Sequence, residues 1–212
     1  MRFQIFTFSY FQIFNVIRMK IISFQDFIRR FHSGEEFVVF DTETTGLNTF
    51  HDDIIEIAGV VWHKDGILEK FEELIWVNPN KVNNEAQAIH GITPADLEGA
   101  RKPEKVLNDF IKFAADRPLV AHNIKFDYEI LNSNLIRNGL RPYQNDETAC
   151  SLVYAKEQMI PGRLIELAGY YKVNTEDDSL HRAMYDVKVL IQILNKIMKE
   201  NEPTDLQYSL IL

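Results

Sequence analysis

Apolar residues recur along the chain in distinct rhythms, and each predicts a different element. From Ser23 the spacing of Phe24, Phe27, Ile28 and Phe31 makes one stripe at helical period, with Ser23 able to cap and Asp26 in the first turn. After Gly34 comes a continuous run, Phe37-Val38-Val39-Phe40, ending on Asp41, which predicts a central strand covered on both faces. Strands are expected at about 54 to 62 and about 67 to 77, turned through Lys64-Asp65-Gly66, whose Asp-Gly pair is a hairpin signal. Helical spacing returns at about 104 to 115, 126 to 137, 147 to 157, 163 to 171 and 181 to 199, with strands at Pro118-Leu119-Val120-Ala121 and near about 143 to 146. A meander followed by strand–helix units predicts an α/β fold. Its sheet is mixed and five-stranded, an antiparallel meander plus parallel strands, flanked by helices.

The two ends depart from this pattern. Residues 3 to 17 are strongly apolar, but Gln4, Thr7, Ser9, Gln12 and Asn15 interrupt them, and they fall short of the roughly 20 residues a spanning helix needs. Arg18-Met19-Lys20 follows where a signal peptide would need small residues, so neither a membrane span nor a secretory leader is expected. Residues 1 to 18 read either as an upstream start with Met19 the true first residue, or as a helix for an interface or a partner. The main domain is expected over residues 19 to 199, and residues 200 to 212 as a flexible tail ending on Leu210-Ile211-Leu212.

Composition narrows the picture. At 212 residues, 46% hydrophobic and 12% aromatic, the chain can bury one sizeable core. The formal charge of −8 argues against gripping nucleic acid by broad phosphate neutralisation. Carboxylates that hold cations would change that balance inside a cleft. The single cysteine, Cys150, excludes an internal disulfide and an all-cysteine metal cage, and fits a reducing, cytoplasmic setting.

Four acids occupy core-facing positions, where an ionised carboxylate is costly without compensation. Asp41 and Glu43 end the apolar strand two residues apart, so both face one way, roughly 6 to 7 Å from each other, while Thr42 faces the other. Asp127 lies on the stripe of Ile130, Leu131 and Leu135, and Asp186 on that of Ala183, Val187 and Leu190. One such acid alone reads as a cap or a dipole partner. Four together point to oxygen ligands for magnesium or manganese, and to displacement at phosphorus assisted by two divalent cations about 4 Å apart. That chemistry needs a proton acceptor. His181 is the candidate: five residues before Asp186, about 140° away on an ideal helix, it belongs at the helix entrance. The histidines His32, His51, His63, His90 and His122 read as surface or structural, with only the last two in motif context.

These residues resemble the DEDDh branch of the RNase H-like 3′→5′ exonucleases, and within it the proofreading epsilon subunits of bacterial DNA polymerase III. Asp41-Thr42-Glu43-Thr44-Thr45-Gly46-Leu47, Ala121-His122-Asn123 through Phe126-Asp127, and His181 through Asp186 are similar to the family's three motifs in order and spacing, over about residues 36 to 198. The resemblance implies that Asp41, Glu43, Asp127 and Asp186 bind two Mg²⁺ or Mn²⁺ ions and that His181 is the general base. It implies that Glu85, His90, Asn123 and Phe126 contact the terminal nucleotide, with the backbone from Thr42 through Thr44 and Gly46 to Leu47, and Leu47 as a wedge. Asp146-Glu147-Thr148 stands where the family has Asp-Thr, leaving open which acid supports the site.

The tail, Gln207-Tyr208-Ser209-Leu210-Ile211-Leu212, resembles the hexapeptide with which replication proteins dock on a sliding clamp; Gln207, Leu210 and Leu212 would fill its pockets, and Tyr208 departs from the pattern. The implied substrates are single-stranded or frayed DNA 3′ ends, with a DNA polymerase subunit as partner. Two other readings stay open: an exoribonuclease trimming RNA 3′ ends, since tolerance of the 2′-hydroxyl is not displayed in a sequence, and an inactive adaptor of clamp or polymerase. Loss of a metal ligand would favour the adaptor, and none is lost.

Overall fold

The computed structural model describes residues 18–175 and 182–202. Among them a six-stranded sheet runs in the order β1-β6-β5-β2-β3-β4. Its strands are β1 Lys20–Ile21, β2 Phe37–Thr44, β3 Ile54–His63, β4 Gly66–Leu74, β5 Leu119–Ala121 and β6 Glu147–Cys150. The meander β2-β3-β4 is antiparallel, and β5, β6 and β1 extend it in parallel. The expected mixed sheet is present with one strand more. The sixth, β1, is too short to carry a period and owes its place to the open edge of β6. Lys20 N donates to Asp146 O at 2.7 Å and Ile22 N to Thr148 O at 2.9 Å.

Seven helices flank the sheet among the described residues: α1 Phe24–His32, α2 Asn84–His90, α3 Pro103–Ala114, α4 Ile124–Arg137, α5 Ser151–Glu157, α6 Leu164–Tyr170 and α7 Ala183–Glu200. Two expectations need correction here. The strand near 143 to 146 falls instead at β6, and the helix expected from 147 begins only at Ser151. Local propensity gives way because β5 takes β6 as its partner, Leu119 opposite Thr148 and Ala121 opposite Cys150. Helix α2 was not expected. With Ile89 its only large apolar residue it shows no stripe, and it rests on its ends: Asn83 caps Glu85 N at 2.6 Å, and Gly91 closes it at φ 69°, where a side chain would be strained.

Helices cover both sheet faces. On one, Phe27 and Phe31 of α1, Leu167 of α6 and Leu190 and Leu194 of α7 pack with Phe37, Val39 and Trp62. On the other, Leu107 and Phe110 of α3 and Leu131 of α4 pack with Val38, Phe40 and Val61. This is why β2 is apolar at every position from Phe37 to Phe40, all fully buried. Each such side chain contributes roughly 1.5–3 kcal/mol by leaving water. Trp62 Nε1 donates to Asn195 Oδ1 at 3.1 Å and ties β3 to α7. No described helix is long and apolar enough to cross a membrane.

Candidate active site

Phe37 and Val39 face α7, so the two-residue period of β2 carries Asp41 and Glu43 onto the same face, beside Asp186 in the first turn of α7. One oxygen from each of Asp41, Glu43 and Asp186 lies within 4.8 Å of the others. Burial, followed by the charges of Asp127 and Glu43, holds the Asp41 carboxyl well above the usual range. Burial likewise pushes Glu43 up to about 9, with Asp186 and Glu56 adding repulsion. Such a cluster calls for positive charge. Its all-oxygen donor set fits magnesium or manganese, since oxygens sharing one ion at 2.0–2.1 Å lie up to about 4.2 Å apart and only a small closing movement is required.

Asp127 stands outside this three-oxygen set. Its helix α4 covers the opposite sheet face, where Thr42 also points, and Thr42 Oγ1 donates to Asp127 Oδ1 at 2.8 Å. At 3% exposure, Asp127 is pushed up to about 7 by burial, offset in part by the Thr42 hydroxyl. Ile130, Leu131 and Leu135 of its stripe are fully buried, as the spacing implied.

The turn after β2 is built around Asp52, whose carboxylate accepts from Asn48 N at 2.7 Å and Thr45 Oγ1 at 3.2 Å. A Cβ on Gly46 would meet Asp52 Oδ2 at 2.6 Å, so this close approach requires glycine. Thr44 Oγ1 donates to Gly46 O at 2.7 Å, and Asn134 of α4 accepts from Ile54 N, bracing the far side of the turn. Thr42 and Thr44 are thus committed to internal bonds. Leu47 projects from the apex, 85% exposed.

On α2, Glu85 in the first turn is exposed and His90 at the end is buried. His90 Nδ1 accepts from Ile92 N at 2.9 Å, which places the proton of the neutral ring on Nε2. Burial keeps His90 below its usual pKa, opposed by Glu56 and the Thr44 backbone. No well-formed hydrogen bond reaches its Nε2 among the described residues, although the Thr44 backbone acts on the ring. His122 is structural: the Gly162 carbonyl can only accept, so Nε2 donates to it at 2.9 Å and Nδ1 accepts from Ser151 Oγ at 2.8 Å. Asn123 opens α4 at φ 67°, a left-handed conformation that asparagine tolerates, with its side chain exposed. Phe126, on α4 itself, packs half-buried against the core on that side of the sheet.

His181 lies outside the described residues, as do Gln207, Leu210, Leu212 and residues 1–17. Neither Asp146 nor Glu147 supports the site. Through the strand register Glu147 is level with Phe37, four residues before Asp41, or roughly 13 Å along the strand. There it pairs with Lys20 at 3.0 Å and Arg30 at 2.8 Å. Sequence reasoning missed Ile89, 57% exposed beside His90, and the ion pair of buried Glu56 with half-exposed Arg182 next to Glu43. An acid interrupting the apolar run Ile54-Ile55-Glu56-Ile57-Ala58 was the available signal.

Over residues 38–194 the chain matches the RNase_T family model, described as Exonuclease. It is 35% identical over 176 residues to the DNA polymerase III PolC-type of Halalkalibacterium halodurans, a span of 82% of this chain and 12% of that protein. With the PolC-type polymerase of Lactococcus lactis it shares 33% identity over 168 residues, 77% of this chain and 10% of that one. The chain thus spans about a tenth of the length of these curated relatives. Among solved structures it resembles Exonuclease X in complex with 5′ overhanging duplex DNA, with a TM-score of 0.62 and 27% identity over 81% of this chain and 96% of that one. It shares the fold of E. coli Exonuclease I in complex with a dT13 oligonucleotide, with a TM-score of 0.69 and 20% identity over 82% of this chain and 43% of that one. A match running through the sheet and both helix layers, on the residues that form the carboxylate cluster, leaves one assignment: the chain belongs to the exonuclease family, in its DEDDh branch.

Proposed function

We propose that this chain removes nucleotides from the 3′ ends of DNA, releasing nucleoside 5′-monophosphates, with residues 19–199 as the catalytic domain. The observation that carries this reading is the meeting of Asp41, Glu43 and Asp186 oxygens within 4.8 Å of one another. Asp41, Glu43 and Asp186 would hold two Mg²⁺ or Mn²⁺ ions, with Asp127 completing the set from behind Thr42. When bound, the ions supply positive charge against the phosphate oxygens and the departing 3′ oxygen.

The chain's own groups do the rest. His181 accepts the proton of the attacking water, whose oxygen bonds to phosphorus as the P–O3′ bond breaks; the departing oxygen takes up a proton and becomes the new 3′ hydroxyl. His90, neutral with its proton on Nε2, donates to the terminal nucleotide. Leu47 and Ile89 offer exposed apolar surface to the terminal base. Glu85, Asn123, Phe126 and the backbone from Thr42 to Leu47 complete the pocket.

The relatives named DNA polymerase III support DNA over RNA and a replicative, cytoplasmic setting in which a polymerase subunit is the partner. The sliding clamp would be met by Gln207, Leu210 and Leu212, and loss of clamp binding on deleting residues 207 to 212 tests that contact. The catalytic reading is tested by incubating the protein with single-stranded DNA, mismatched duplex and RNA, with Mg²⁺, Mn²⁺ or chelator. DNA should shorten from its 3′ end only with metal, and Asp41→Ala should be inactive. Cleavage that survives either change, or a preference for RNA, overturns it.

A further inference from the structure

Leu47 is 85% exposed at the apex of the turn that leaves β2, so packing of its own side chain does not hold it in place. Its position is decided by the residues that flank Gly46 and Leu47, and both are tied to Asp52, whose carboxylate accepts from Thr45 Oγ1 at 3.2 Å and from Asn48 N at 2.7 Å. Thr45 N donates to Asp53 O at 2.9 Å and closes the neck of the turn. Helix α4 grips the returning limb. Asn134, 2% exposed, accepts from Ile54 N at 3.2 Å and donates to Asp52 O at 3.2 Å. About one helical turn further on, Arg137 donates to Phe50 O at 2.6 Å, to Asp52 O, and to Asp53 Oδ1 at 2.8 Å. Thr49 Oγ1 adds a bond to Glu129 Oε2 at 3.3 Å.

We propose that Asn134 and Arg137 are positioning residues for the 3′ end of the substrate: by fixing Asp52 they hold Leu47 at a set distance from the metal-binding carboxylates. This rests on the reading of Leu47 as a contact to the terminal base. The other end of α4 is anchored to β2, where Asp127 accepts from Thr42. Asp127 and Asn134 are separated by about 10.5 Å along the helix axis, so one rigid element sets the spacing between the site of cleavage and the base contact. Satisfying the backbone does not explain Arg137. Its bonds lie at the surface, where water would serve the same carbonyls, and what the guanidinium adds is a fixed geometry. A free turn would have to be ordered when DNA binds, whereas a braced one has met that cost on folding.

The test is steady-state cleavage of 3′-ended single-stranded DNA with Mg²⁺, alongside the dissociation constant of 5′-labelled DNA measured by fluorescence anisotropy in chelator. Arg137→Ala should raise KM and the dissociation constant roughly 3- to 10-fold and leave kcat within about twofold, because the Asp41, Glu43 and Asp186 cluster is untouched. Leu47→Ala should raise both by a similar factor. In a Leu47→Ala background Arg137→Ala should cost less than about 1.5-fold, since no contact is left to misplace. Equal fold losses in both backgrounds, or a loss confined to kcat, overturn the brace, because a merely structural role acts whatever stands at position 47. Arg137→Lys keeps the charge without the fork and should fall between wild type and Arg137→Ala; if Arg137→Ala fails to fold, it decides by the same comparison. A Leu47→Ala protein that binds DNA as wild type does overturns the contact on which the brace rests. A protein that binds DNA without shortening it overturns the catalytic reading, and the binding comparison still decides the brace.

Discussion

Replacing Glu43 with Gln should stabilise the metal-free protein while abolishing catalysis. The Asp41, Glu43 and Asp186 oxygens lie within 4.8 Å of one another, where each fully ionised pair repels by about 3.5 kcal/mol at an effective dielectric constant of 20. The native protein relieves this by retaining protons, with Glu43 pushed up to about 9 from its ordinary 4.5. Near pH 7.5 the folded state therefore carries a proton that the unfolded chain has released about three pH units earlier, a ceiling of about 4 kcal/mol at 1.36 kcal/mol per unit. Asp41 shares the burden, being raised as well, and Glu43 keeps some solvent contact, so the expected gain is about 1–3 kcal/mol. At roughly 2–4 °C per kcal/mol, thermal unfolding resolves it.

The sign follows from proton counts. Between about pH 4.5 and 9 the native state binds more protons than the unfolded state, so wild-type stability in chelator falls as pH rises through that window. Glu43→Gln should flatten this slope, and Mg²⁺ should raise the wild-type Tm more at pH 9 than at pH 5 while doing little for the variant. Melting in EDTA at both pH values is the assay. A variant that melts below wild type at pH 9, or that retains the full slope, refutes the reasoning.

Two further substitutions probe the frame around the cluster. Gly46→Ala should cost about 1–3 kcal/mol in urea unfolding, because its Cβ would meet Asp52 Oδ2 at 2.6 Å and Asp52 is bonded to both sides of the turn; unchanged stability would show that the turn is not built on that carboxylate. Thr42→Val removes the 2.8 Å donor from buried Asp127 at nearly constant volume, for a loss of about 1–3 kcal/mol. Because Asp127 ionises at about 7, the loss should be larger at pH 8 than at pH 6, and equal losses at the two values would count against the bond.

Much of the site was legible along the chain. Asp41 and Glu43 share a face because side chains alternate on a strand, and that needs only the apolar run before them. Asp186 was legible because its apolar neighbours recur at helical spacing and are buried. The double-faced cover of the central strand could be read from Phe37 to Phe40, since no polar residue breaks the run. Helix α2 escaped because Ile89 is its only large apolar residue and marks no stripe, and β1 because two residues hold no period.

What only the tertiary structure decided concerns residues distant in sequence. The local pattern of residues 147–150 suits a helix, and the parallel partner β5 made them a strand, which also moved Glu147 away from the site. Asp127 and Asp41 both read as acids in a core, but Asp127, on a helix that covers the other sheet face, falls outside the three-oxygen set and is bonded by Thr42, while its charge still acts on Asp41. The cap of α7 comes from Glu56, 127 residues away, on a strand whose register with β2 is set by packing on both faces. Periodicity reports which way a side chain points within its own element. Which carboxylates meet, and which donor satisfies each one, depends on register and on the burial of both partners, and those exist only once the sheet has formed.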